Sequence, residues 1–238
     1  MMKTATVGLL LCLGAISASA QLGGLLKKNK GAGDVTAVMT QGQDLVSYVT
    51  IATDNGVKAV EALASAFPPD KMQKVADLAA KYNELKAKRS DQNIDAESIQ
   101  VASQVAAEMA QFDSDWQAYL KEKSATVKKA DARLALAILA DGLAATKAPD
   151  TAKALQSAAQ GLKADPTQVS KMNRMLSMAT LLVTVGKEAP QQVNSFRTVR
   201  GITKRIAEAE HVQLASDPSP DKVRDNVALE TSTKELEG

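Results

Sequence analysis

The sequence predicts an all-α protein: an elongated antiparallel bundle of about five to seven helices, with a disordered leader and tail. Three observations carry this expectation. Apolar residues recur three and four apart along most of residues 34–214. No stretch alternates with period two for long enough to make a sheet. Alanine supplies roughly 40 of the 238 residues, against one Trp, three Tyr and three Phe. Alanine at facing positions lets helix axes approach closely.

The first twenty residues read as an export signal. Lys3 gives a positive start, Val7 to Ile16 is an apolar run, and Ala18-Ser19-Ala20 offers a small-x-small cleavage pattern. The run is too short to span a membrane, and no later stretch approaches the ~20 apolar residues that an anchor needs. Cys12 falls inside the signal after Leu11, so a lipid-modified cysteine is not expected and the mature chain is cysteine-free. A helical chain without thiols fits a bacterial periplasm or cell exterior better than a disulfide-using secretory pathway.

Residues 21–33 form a Gly- and Lys-rich leader, and Asp34 is the expected N-cap of a long helix carrying Val35, Val38, Leu45, Val49, Ala52, Val60 and Leu63. Asn55-Gly56 suggests a bend within it, and Pro68-Pro69 ends it. Asp70 restarts the chain, with Met72, Val75, Leu78, Ala79, Tyr82 and Leu85 on one face to about Arg89. After a polar joint at 90–93, Asp95 caps the next helix. Its seam runs through Ala102, Val105, Met109, Phe112, Trp116 and Tyr119.

From there, either one helix spans about 95–147 or the chain kinks near Ser124, with Val127, Leu134 and Ile138 following. Pro149-Asp150 reads as the opening of a short helix closed by Gly161-Leu162. Asp165-Pro166 opens another, carrying Val169, Met172, Met175, Ala179 and Leu182. Pro190 marks a break before a last helix through Val193, Phe196, Val199, Ile202, Ile206 and Ala209. The expected organisation is a signal at 1–20, a leader at 21–33, one bundle domain at 34–214 and a disordered tail at 215–238.

Composition removes several chemistries. One His and one Cys exclude a disulfide framework and a Cys/His zinc site. No phosphate-cradling glycine loop, nucleophile elbow or EF-hand loop is present. Glu208 and His211 share an E-x-x-H spacing, but a di-iron bundle needs a second such motif. Met172, Met175 and Met178 are thioethers suited to Cu(I), but at helical spacing they read first as a core stripe. The expectation is therefore a non-enzyme with no catalytic residue, no metal site and no cofactor.

Charge is more telling. The chain carries +3 over 21–33, −6 over 34–120, +7 over 121–214 and −3 over the tail. Arg197, Arg200, Lys204 and Arg205 gather on one side of the last helix as a candidate interaction face. The function expected first is an exported protein binding a macromolecular partner, either a protein or an anionic envelope surface, through charged helix faces. A carrier of an apolar small molecule between helices is the alternative, although close alanine packing disfavours a cavity. Cu(I) binding at the methionines is a third. Scarce aromatics argue against nucleic acid, and self-association along the 102–119 seam is open.

Overall fold

The computed structural model describes residues 32–89, 94–113, 124–162 and 166–221. The described residues form five α-helices and no strand: α1 (Ala32–Ala64), α2 (Pro69–Ala87), α3 (Ala96–Ala110), α4 (Ser124–Leu162) and α5 (Val169–Ala209). The chain divides into two compact units, 1–37 and 38–238. Of the first, the structure describes the opening of α1 alone; the helical bundle belongs to the second. The expected signal peptide, Trp116 and Tyr119 lie outside the described residues, as does the leader up to residue 31.

Pairwise contacts fix the directions of the helices. Asp131 of α4 meets Arg200 of α5, and Pro149 lies against Gly186, so these two long helices run antiparallel. Lys81 pairs with Glu97 and Lys74 with Glu108, which sets α2 antiparallel to α3. Ile99 meets Gln192 and Asp113 meets Arg205, so α3 runs parallel to α5. One straight helix over 95–147 is therefore ruled out, because its two halves would have to run in opposite directions along α5. α3 ends at Ala110 in a 3₁₀ turn, Gln111–Asp113, and the next described helix is α4, from Ser124.

The main core gathers Val60, Leu63 and Phe67 with Tyr82, Val105, Met109, Leu134, Phe196 and Ile202, all but closed to solvent. Between Val49 and Val60, α1 is buried around most of its circumference, as expected of a helix enclosed by others. Ala52 packs on Ala140, and the small side chains let α1 and α4 come close.

Several expected boundaries move. The chain is already helical at Ala32, so Asp34 lies within α1 instead of capping it. It runs unbroken through Asn55-Gly56, because Gly56 serves packing and not a bend. Pro149 and Pro190 both lie inside helices. Each removes one backbone hydrogen bond, yet the buried residues beside them (Ala148 and Ala152, Ala189 and Val193) hold the helix to its neighbours through the defect. Val169, expected in the buried stripe, is 46% exposed.

Other expectations hold locally. Asp95 caps α3, accepting from the Ser98 N–H at 2.6 Å. Pro69, read from the sequence as part of a helix end, instead occupies the first position of α2 after Pro68. Beyond α5, Val212 and Leu214 pack on the main core and Asp217 binds Arg200. The start of the expected tail is thus anchored, and residues 222–238 lie outside the described residues.

Candidate functional site

A groove of about 1180 Å³ is lined by the early part of α1, by Lys88 and Arg89 after α2, by Ile94 and Asp95 before α3, and by the first turns of α5. Met39 and Val46 of α1, Ile94 before α3, and Met178 and Leu181 of α5 give it apolar walls. Among the described lining residues, Lys88, Arg89 and Arg174 are cations and Asp95, which already accepts from Ser98 N–H, is the one carboxylate. The groove lining does not include Ala52 or Ala140 of the α1–α4 contact.

Arg89 follows directly on the C-terminal end of α2, where the helix dipole favours a cation. Its side chain is only 4% exposed. The guanidinium lies over the Tyr82 ring, 5.3 Å from its centroid, with Nη1 4.0 Å from Asp54 Oδ1. That carboxylate is already engaged, accepting from the Tyr82 hydroxyl at Oδ1 and from Lys86 Nζ at 2.5 Å through Oδ2. Arg89 Nε and Nη2 are closed to solvent and have no hydrogen-bond acceptor among the described residues. Burial, reinforced by Asp54, pushes the Tyr82 phenol above its ordinary value while Arg89 works against the shift, so Tyr82 stays a hydrogen-bond donor.

The four cations expected to form an interaction face part company. Arg200 donates from Nε to Asp131 Oδ1 at 2.9 Å, and from Nη2 to Asp131 Oδ2 at 3.2 Å and Asp217 at 2.5 Å. Burial works against its charge, but the hydrogen bonds to these two carboxylates outweigh it and hold the guanidinium above its ordinary value. Arg205 donates to the carbonyl and carboxylate of Asp113. Arg197 and Lys204 are exposed.

Of the methionines, Met175 is buried, Met172 is half-buried, and Met178 lines the groove beside Gly42. His211 is exposed with φ of 53°, at the residue just past the α5 cap. Val212 N–H donates to Ala207 C=O at 2.7 Å and His211 N–H to Glu208 C=O at 3.3 Å, the paired bonds of a Schellman terminus. Its position is thus explained by helix termination. Among the described residues no three His, Cys, Asp or Glu side chains are placed to hold a metal. No described helix is long and apolar enough to cross a membrane.

Asp141 of α4 is completely buried, and neither carboxylate oxygen has a hydrogen-bond partner among the described residues. Burial pushes its pKa well up. Sequence reasoning singles out neither Asp141 nor the groove. The groove draws on three separated segments with no local motif, and Arg89 reads as nothing more than a helix end. No protein-family model, curated protein or solved structure matches this chain.

Proposed function

We propose that this chain is a non-catalytic binding protein that carries a small molecule in the groove lined by α1, the C-terminal end of α2, the start of α3 and α5. The observation that supports this reading is the groove's size together with its mixed lining. Its volume is about 1180 Å³, with Met, Val, Ile and Leu walls and a few charged groups, a composition typical of small-molecule sites. Export to a periplasm or cell exterior belongs to the same proposal, on the strength of the N-terminal signal pattern. The test is native mass spectrometry of protein purified without denaturant from its own cells. A discrete added mass, lost on mild denaturation, is expected. A clean apo mass would count against the reading.

A second reading, contact with an acidic protein or an anionic envelope surface, rests on Arg197 and Lys204, which are both exposed on α5. Co-sedimentation with anionic vesicles at low and high salt tests it, because such contacts weaken as salt screens them.

A further inference from the structure

We infer that the segment from Val212 to Asp217 is a self-docked strap, and that an extended acidic peptide of a partner protein displaces it from Arg200 and from the core surface under Val212 and Leu214. The inference rests on the reading that α5 contacts an acidic protein; it adds where the acid goes and what holds that site closed.

The chain turns back on itself after α5. His211 takes a φ of 53° and Val212 N–H closes on Ala207 C=O, which reverses the chain direction. Pro218 biases Asp217 before it toward extended backbone. Val212 and Leu214 pack on the main core, while Gln213 between them and Ala215 after them are exposed. That alternation is the signature of an extended strand. Asp217 then meets Arg200 Nη2 at 2.5 Å, about two and a half turns back from the end of α5.

The strap is lightly held. Among the described residues, no backbone group of residues 213–217 makes a hydrogen bond. Val212 and Leu214 are only partly buried, and the Asp217 side chain is largely exposed, where an ion pair contributes little. A segment with few buried contacts and a solvated backbone opens far more readily than a packed helix. The surface beneath it is built independently of it. Asp131 of α4 binds Arg200 through both Nε and Nη2, so the guanidinium stays in place when Asp217 leaves. Arg200, with Lys204 adding to it, holds the Asp217 carboxyl below its ordinary value, so a carboxylate is favoured at this spot. The chemistry of a competing partner follows from the strap itself. It is an extended peptide with two apolar residues two apart and an acid three residues further on, which a plane of lipid headgroups does not reproduce. Because the strap is tethered beside its own site, its high effective concentration keeps such a partner weak until the strap is released.

The experiment follows a fluorescein-labelled peptide copying residues 211–219 by anisotropy as the full chain is titrated in. Wild type is compared with Asp217→Asn and with Val212→Ser/Leu214→Ser, each checked by circular dichroism. A second peptide carries Asn in place of the acid, and co-sedimentation with vesicles of phosphatidylglycerol and phosphatidylcholine runs in parallel at low and high salt. The double variant is expected to bind the acidic peptide at least tenfold more tightly than wild type, and Asp217→Asn about threefold more tightly. The Asn peptide should bind the double variant about tenfold more weakly, and vesicle binding should be the same in all three proteins. If the double variant fails to fold, Asp217→Asn decides alone, since its side chain is exposed. Equal peptide affinity in wild type and variants overturns the strap as a competitor. Equal affinity for the two peptides overturns the role of Arg200. Vesicle binding that rises along with peptide binding overturns the peptide assignment and leaves the α5 contact reading standing. No peptide binding, with salt-sensitive vesicle binding, overturns this inference alone; no binding of either probe overturns that reading as well.

Discussion

The ring of Phe196 in α5 lies against Gly56 of α1 so closely that a Cβ on residue 56 would collide with three of its carbons. The glycine is what brings these two helices together. Phe196 is fully buried and cannot retreat without displacing other core residues. Gly56→Ala gains helix propensity, about 1 kcal/mol, but overpacks the core, which costs typically about 1–3 kcal/mol and occasionally more. A net loss of stability is therefore expected in urea unfolding, with partial recovery in Gly56→Ala/Phe196→Leu. An unchanged or raised midpoint in the single variant would refute this packing.

Asp131 and Arg200 form a bidentate pair almost shut off from water, with side-chain exposures of 2% and 12%. Thr203 Oγ1 lies 3.1 Å from the same carboxylate oxygen. Breaking a buried pair by removing one partner costs about 3–5 kcal/mol, and without Asp131 the half-closed Arg200 keeps only the exposed Asp217 as its carboxylate partner. Asp131→Ala should lower stability by that order, and Asp217→Ala by far less, since Asp217 is 70% exposed. Equal losses in the two variants would overturn the ranking.

Asp141 should make stability fall as pH rises. Its carboxyl ionises at an ordinary 3.8 in the unfolded chain but only well above that in the fold, because burial disfavours the charge. Below 3.8 both states are protonated and there is no penalty. Above it the unfolded state gains by ionising until the pH passes the folded value. Asp217 acts with the opposite sign: the hydrogen bond from Arg200 lowers its pKa, so its contribution is present above 3.8 and lost in acid. Asp141→Asn should therefore raise Tm at pH values above 3.8 and flatten the decline that begins there. Parallel wild-type and variant profiles would remove Asp141 as the cause.

His211 occupies a left-handed conformation that costs an ordinary residue about 1–2 kcal/mol and glycine almost nothing. Its side chain is exposed. His211→Gly should stabilise by about 1 kcal/mol, or roughly 2–4 °C in Tm for a chain of this size. A lowered Tm would mean that the side chain makes a contact worth more than the strain.

Periodicity makes the helices legible because the buried residues of α2 and α3, such as Val75, Tyr82, Val105 and Met109, repeat locally. Asp95 is legible as a cap because the capping bond spans three residues. Pro149, Pro190 and Gly56 mislead for one reason: their meaning depends on what another helix puts beside them. Proline and glycine report backbone preference in a sequence, and burial on both sides overrides it. The groove is hidden likewise. Its cations stand at 88, 89 and 174, and only the α2–α5 arrangement makes them neighbours. Arg200 and Arg205 look like available surface charges in the sequence, and the fold places Asp131, Asp217 and Asp113 next to them.

That the groove holds a small molecule can be tested by filling it. Ser177 lines the groove and is exposed, while Val183 is exposed on the same helix outside it. Anilinonaphthalene sulfonate, a fluorescent aromatic anion, is titrated into wild type, Ser177→Trp and Val183→Trp, each shown to be folded by circular dichroism. Saturable binding at one site is expected in wild type and Val183→Trp, with its loss in Ser177→Trp. Binding that persists unchanged in Ser177→Trp would mean that the groove is not the site.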